Sequence, residues 1–439
     1  MRSLFKATLL ASLLSASAWG QAFLGCPGNP NKLSCQINTT FRTASSNLSA
    51  FAPTLSTQLN QLPLAAAATG SGIAIVGGIP TVSTDTLGSI LTDRGDTVGK
   101  YKFYASFSYQ RFWFDSIDGV RMKHFPTAIK KLQPDSQGGL DYIVTNNRFD
   151  LTDDQFTVLG TLGLSDRVDV SLIIPFSKVT FKTQATGNEY FFYGANPPNP
   201  GVIPNSFASP PAPLANYYPG SASGIGDVLV NGKVNVISGE KSRLAFGGEV
   251  RFPTGDEFNY LGSGAYGFKP YMIYSRSGRV TPHINFGYQW NSSSAIYPNP
   301  NGSGNLRLPD SLQYSAGADV GLTKRWTVVG DWIGQYVLDG PRVLRGTQFV
   351  TGDGQSTGMT PTSAIPTQCS AQWSCQTIQS KIGPSGRVLT EGYAMNNISV
   401  GIKLNVFRGL LITGNALIAI DDNGLRAKVV PLVGVSYRF

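Results

Sequence analysis

Val280-Thr281-Pro282-His283-Ile284-Asn285-Phe286-Gly287-Tyr288-Gln289-Trp290-Asn291 alternates, one residue at a time, between a large apolar side chain and a small or polar one. A period of two puts Val280, Pro282, Ile284, Phe286, Tyr288 and Trp290 on one face of an extended strand and Thr281, His283, Asn285 and Gln289 on the other. One face suits lipid and the other a wet lumen, as a strand in a membrane barrel requires.

The pattern recurs on both sides of this stretch. Phe156, Val158, Leu162 and Leu164 alternate with Gln155, Thr157, Thr161 and Gly163; Val168, Val170, Leu172, Ile174 and Phe176 alternate with Asp169, Ser171 and Ser177. Further runs lie at about 227–236, 244–252, 312–323, 326–336 and 397–405, and weaker ones at about 101–115, 265–277, 409–421 and 427–439. That makes twelve strands, and even parity is what a single-chain bacterial barrel needs. A soluble sandwich would also alternate, so the connections arbitrate. Tight turns at Ser165-Asp166-Arg167, Ser238-Gly239-Glu240, Ser277-Gly278-Arg279, Thr323-Lys324-Arg325 and Phe407-Arg408-Gly409 alternate with longer connections at about 116–152, 183–224, 254–264, 292–310, 339–394 and 421–426. Short periplasmic turns and long external loops are the barrel arrangement. The last strand carries Val429, Pro431, Val433, Val435, Tyr437 and Phe439 on one face, and a terminal aromatic resembles the signal read by the barrel-assembly machinery.

Composition agrees. The chain of 439 residues holds 50 glycines, 18 tyrosines and 24 phenylalanines but only 14% charged residues, against about 25% in soluble domains. No later segment offers the roughly eighteen uninterrupted apolar residues of a helical span. The net charge of +9 is spread along the chain without a basic block, so nucleic acid is excluded as a partner.

The N-terminus reads as a cleaved signal peptide over residues 1–20. Arg2 and Lys6 form the positive region, Leu9 to Ala18 the apolar region, and Ala18-Trp19-Gly20 the small-residue cleavage site. A lipoprotein would need Cys26 as the acylated residue, but Phe23-Leu24-Gly25-Cys26 fits that poorly. Residues 21–97 are not barrel-like. Leu48, Phe51, Leu55, Leu59 and Leu62 recur at helical spacing, Gly70 to Gly78 is a small-residue stretch, and Ser83, Thr84, Asp85, Thr86, Asp93, Arg94 and Asp96 form a polar run. A disordered tail, a periplasmic domain and a lumen plug all fit. With an even strand count and a periplasmic C-terminus, the chain enters the first strand from the periplasm, where such a segment can narrow or close the lumen. The barrel follows over residues 98–439.

Four cysteines form two local pairs, Cys26 with Cys35 and Cys369 with Cys375, both in stretches without strand pattern. In an exported protein these read as loop disulfides. No histidine lies near either pair, which argues against zinc. No cofactor is implied.

The charged groups on wet faces are the transport candidates: Asp227, Lys233, Glu249, Arg251, Asp319, Asp331 and Lys403. A turn near Gly239 sets Asp227 opposite Arg251, an expected ion pair, with Glu249 on the same wall. The turn at Lys324 sets Asp319 across from Asp331 or one pair removed, where like charges repel unless a cation is near. Lys403 is the expected neutraliser. Together the charges read as an eyelet selecting by charge.

Three motifs carry a family resemblance: Ser223-Gly224-Ile225-Gly226-Asp227-Val228, Arg251-Phe252-Pro253-Thr254-Gly255-Asp256, and Pro282 to Trp290. In order and spacing they resemble the outer-membrane transporters labelled as a meta-pathway phenol-degradation family. The resemblance covers about 95–439 and implies passage of small organic solutes, aromatic ones among them, across the outer membrane. The long N-terminal segment and the roughly 55-residue loop with two cysteines depart from it. Outer-membrane lipases and proteases rely on a histidine, and this chain has only His124 and His283, with no Gly-x-Ser-x-Gly elbow. A non-enzymatic barrel is expected. An adhesive barrel with long external loops is the alternative to a channel.

Overall fold

The computed structural model describes residues 32–35, 51–59, 73–76, 79–82, 86–130, 140–192, 201–203, 217–239, 241–298, 304–350, 356–360, 374–380, 390–407 and 409–438. The expected signal peptide and Phe439 lie outside them, as do Cys26 and Cys369. Twelve antiparallel strands close into one barrel. We number them β1 Phe103–Phe114, β2 Leu140–Gly163, β3 Val168–Phe192, β4 in two parts, Tyr217–Ile225 and Val228–Ser238, β5 Ser242–Phe252, β6 Gly267–Arg276, β7 Val280–Asn291, β8 Ser311–Gly321, β9 Trp326–Pro341, β10 Thr390–Phe407, β11 Leu410–Ala419 and β12 Val429–Arg438. Each pairs with its neighbours in the chain, and β12 pairs with β1 from Leu432↔Gln110 to Arg438↔Tyr104 to close the sheet.

Closure follows from the solvent on either face. An open sheet edge in lipid would leave backbone N–H and C=O groups unpaired, at several kcal/mol each. The outward face is an apolar belt in which Phe107, Val158, Leu172, Phe246, Ile284 and Val433 are all exposed. Trp113, Trp290 and Tyr336 stand ten residues along their strands from Phe103, Val280 and Trp326. Ten residues at about 3.3 Å, tilted by about 40°, span about 25 Å, the height of an outer-membrane apolar band. The barrel is an outer-membrane one.

Several sequence boundaries move. β2, β3, β9 and β10 run well past the expected strand ends, so parts of 116–152, 183–224 and 339–394 are strand rather than loop. Cys375 lies in a strand, Ser374–Ser380, paired with Val343–Val350, although its own sequence does not alternate. Outside the bilayer, backbone pairing with a neighbouring strand does not require a two-faced side-chain pattern. Cys35 is buried in a 3-10 turn, Leu33–Cys35, and disulfide-bonded.

Strand β4 is broken in a defined way. Ile225 pairs with Phe176 and Leu229 with Ile173, so four steps on β4 match three on β3. The extra residue is a β-bulge at Gly226-Asp227-Val228. Beyond it Tyr217–Ile225 pairs with β3, while β5 ends at Phe252 opposite Val228.

The inward face is not uniformly wet, contrary to the reading of every strand as lipid-facing on one side and wet on the other. Phe112, Phe114, Phe149, Leu151, Val179, Phe181, Val329 and Val430 point inward and form one cluster with Leu55, Leu59, Ile90 and Leu91 of the N-terminal segment. These strands face protein rather than water, and burial against protein favours apolar side chains.

Candidate functional site

Residues preceding β1 lie inside the barrel at both ends. Near the external loops, Leu33 N donates to Asn259 Oδ1 at 3.2 Å, Lys32 pairs with Asp256 at 2.5 Å, and helix α1, Phe51–Leu59, packs against Ser293–Pro298 and Leu425–Arg426. Near the periplasmic turns, Thr97 Oγ1 donates to the Asp166 carbonyl at 2.7 Å, and Tyr101 N donates to the Gly163 carbonyl at 2.8 Å. A Cβ on Gly163 would collide with the Gly99 carbonyl, so the chain can turn into β1 only against a glycine.

Between these ends, residues 86–98 are held by buried charges. Lys233 Nζ contacts Asp93 at 3.1 Å; Arg94 contacts Asp96 at 3.0 Å and Asp319 at 3.7 Å; Arg243 pairs with Asp96. Val98 N donates to Asp169 at 3.0 Å, while Arg438 donates to the Val98 carbonyl at 2.8 Å and Lys403 to the Ser89 carbonyl. Asp93, Asp96, Asp169, Asp319 and Asp331 thus face Lys233, Arg94, Arg243, Lys403 and Arg438, five acids against five bases. Charges this deeply buried require such pairing, because desolvation of an unpaired ion costs several kcal/mol.

All seven sequence candidates point inward, into two separate groups. Lys233, Asp319, Asp331 and Lys403 belong to the network at residues 86–98. Asp331 stands opposite Gly317 and Asp319 opposite Val329, so the two aspartates are one pair removed. Lys403 acts electrostatically on both, as the spacing suggests, while its Nζ engages a carbonyl; Arg94 also approaches Asp319 at 3.7 Å, and His283 Nε2 lies 2.7 Å from Asp331. Asp227, Glu249 and Arg251 line a cavity nearer the external loops. Asp227 is diagonal to Arg251 in the register, and the pair spans 3.7 Å; Glu249 pairs with Lys269 at 2.7 Å.

Here two of the motifs meet. Thr254 Oγ1 donates to the Gly226 carbonyl at 2.7 Å and accepts from Val228 N at 3.0 Å, while Asp227 accepts from Gly255 N at 3.2 Å and Ser263 N at 2.8 Å. The Gly-Asp and Pro-Thr-Gly sequences are therefore one structure, a loop clamped onto the bulge. Beside it lies a lumen cavity of about 330 Å³. Its lining mixes polar groups, Asn231, Arg251, Tyr271 and Gln289 among them, with apolar and aromatic ones, including Leu59, Phe112, Ile173, Tyr260 and Val430.

The histidine does not form a nucleophile site. Thr92 Oγ1 at 2.8 Å and Asp331 Oδ1 at 2.7 Å share one ring nitrogen, Nε2, whereas a triad places acid and hydroxyl on opposite nitrogens. His283 is also 1% exposed, away from any substrate. Among the described residues no cluster of three metal-ligating side chains occurs.

Sequence reading missed Arg243, one residue outside its assigned strand, and Asp153, at the first residue after the connection expected over about 116–152. Both continue the inward alternation of their strands, and extending the period by one step would have found them.

Residues 137–354 match the family described as "Putative MetA-pathway of phenol degradation". No curated protein matches the chain. Among solved structures, an outer membrane channel from Pseudomonas putida F1 is similar, with 11% identity over 78% of this chain and 97% of that chain and a TM-score of 0.44. The translocator domain of the autotransporter NalP from Neisseria meningitidis follows with 9% identity over 78% and 89% and a TM-score of 0.32, and a Pseudomonas aeruginosa FadL homologue with 7% identity over 77% and 90% and a TM-score of 0.28.

Proposed function

Taking the family match over residues 137–354 as a premise, we propose that this barrel is an outer-membrane conduit for small organic solutes whose own N-terminal segment restricts the path. The observation that carries the reading is the lumen cavity of about 330 Å³, walled by barrel strands and by Leu59, Leu91, Thr92 and Asp93 of that segment. A lining that mixes apolar and polar side chains suits a solute with both characters. The buried ion pairs at residues 93–96 act as the base of the plug, and the two clusters of lumen charge act as positioning and structural groups rather than as one eyelet.

The test is a deletion of residues 36–95 with the signal peptide retained. The truncated barrel is expected to remain heat-modifiable and to show larger single-channel conductance in planar bilayers than the full chain. Equal conductance in both forms would mean that the segment does not restrict the lumen. No conductance in either form, together with no solute entry in liposome swelling, would favour the adhesive reading.

A further inference from the structure

Among the described residues, every charged side chain that lines the lumen cavity has an opposite charge beside it, with one exception. Asp93 pairs with Lys233, Asp227 with Arg251, Glu249 with Lys269 and Arg426 with Asp421. Asp153 has no ion-pair partner among the described residues. Its carboxylate is 5% exposed, it lines the cavity, and Oδ1 has no hydrogen-bond partner. The groups acting on it are the Ser177 hydroxyl and a second acid, Asp154. Asp154 is already engaged by Tyr109 Oη at 2.6 Å and Arg111 at 3.4 Å.

The surroundings of Asp153 are aromatic and aliphatic. In the strand register it sits opposite Phe112 on β1 and Val179 on β3. Phe112 stacks with Phe114 at 5.8 Å, Phe181 packs on Phe149 at 6.1 Å, and Tyr260 meets Phe181 edge-on at 6.1 Å. An isolated buried carboxylate is costly, so such a group either holds a proton or meets a cation supplied from outside, and the cavity beside Asp153 gives a cation room to reach Oδ1. The aromatic rings fit the same visitor, since their faces attract cations and their bulk accepts an apolar body.

We propose that Asp153 is the head-group site for a protonated amine carried on an apolar, ring-sized body. The ammonium takes the free Oδ1 lobe, and the body lies against Phe112, Tyr260 and Leu59. This rests on the conduit reading and names its substrate class. A neutral hydroxyl compound of the same shape meets the apolar part of the lining but leaves the carboxylate uncompensated, and a carboxylate compound meets it with like charge.

The experiment uses the purified full chain in detergent micelles at pH 8, where a buried carboxyl is more fully ionised than at neutral pH and a primary amine is still protonated. Three probes of one shape are titrated by calorimetry against protein-free micelles: 2-phenylethylamine, 2-phenylethanol and phenylacetate. The amine is expected to bind at least tenfold more tightly than the alcohol, and phenylacetate more weakly than either. Asp153→Asn is expected to abolish the amine preference, bringing the amine affinity to within about twofold of the alcohol's, and Asp153→Glu to retain the preference. Equal affinity for amine and alcohol in the unaltered protein would overturn the amine assignment without needing a variant, and so would an undiminished preference in Asp153→Asn. Binding of none of the probes would count against the conduit reading itself, which separates the two failures.

Discussion

Arg94 is 1% exposed, lies between Asp96 and Asp319, and donates to Thr86 Oγ1 at 3.0 Å. Its replacement, Arg94→Met, would leave Asp319 buried beside an apolar group, and removing one member of a buried pair costs about 3–5 kcal/mol. The loss falls on the attachment of residues 86–98 rather than on the barrel ladders. Labelling of a Ser89→Cys reporter by a water-soluble maleimide should therefore accelerate at least tenfold in Arg94→Met, with heat-modifiability unchanged. The aspartates have a different standing from the one their spacing suggested. Replacing both Asp319 and Asp331 with Asn relieves little repulsion, because Arg94, Lys403 and His283 already answer them. Asp118 makes a second residue-scale case. Its carboxylate accepts from Val343 N at 2.8 Å and Gly424 N at 2.9 Å and pairs with Arg342 at 2.8 Å, tying three external connections together. Each lost acceptor leaves a donor unsatisfied at about 1–3 kcal/mol. Asp118→Ala is expected to make Arg342 the first site of trypsin cleavage in intact cells, while the barrel stays folded.

At the scale of the element, the N-terminal segment touches β10 at an unusually close point. A Cβ on Gly401 would reach Ile90 Cδ1 at 2.5 Å and would also clash with Asn415 and the Gly414 carbonyl. Gly401→Val should therefore displace Ile90 and the Asn415 side chain and press on the Gly414 carbonyl of β11, with retained heat-modifiability as the control that the barrel ladder survives. Single-channel conductance is expected to rise toward that of the deleted form, and an unchanged current would show that this contact does not hold the plug. The bulge in β4 is the other element with a consequence. It turns Asp227 onto the loop at Gly255 and Ser263, so the polar part of the cavity lining is built by a strand and a loop together.

For the whole molecule, closure is the decisive term. Among the described strands β12 alone bridges β11 and β1, and without it both neighbours would present open edges to lipid. Removal of residues 429–439 is expected to abolish the heat-modifiable form on unheated gels, even though eleven strands remain. The plug deletion should not do so, because every ladder of the closed sheet lies after Lys102. These two truncations separate what the barrel needs to exist from what its lumen needs to be filled.

The sequence by itself determined the twelve strands, their outward faces and the barrel class, because lipid on one side imposes a period of two that no later contact can revise. Val280 to Asn291 reads the same way in the chain and in the sheet. It also determined that Asp227, Lys233, Glu249, Arg251, Asp319, Asp331 and Lys403 face inward, since inward and outward positions alternate. Only the tertiary structure decided what those groups meet. Arg94 reaches Asp319 across 225 positions and Lys233 meets Asp93 across 140, and no local pattern encodes such distances. Likewise the apolar inner wall at Phe112, Phe149 and Phe181 and the solitary carboxylate of Asp153 depend on which segment fills the lumen. A strand records the solvent on each of its faces, but not the protein that takes the place of that solvent.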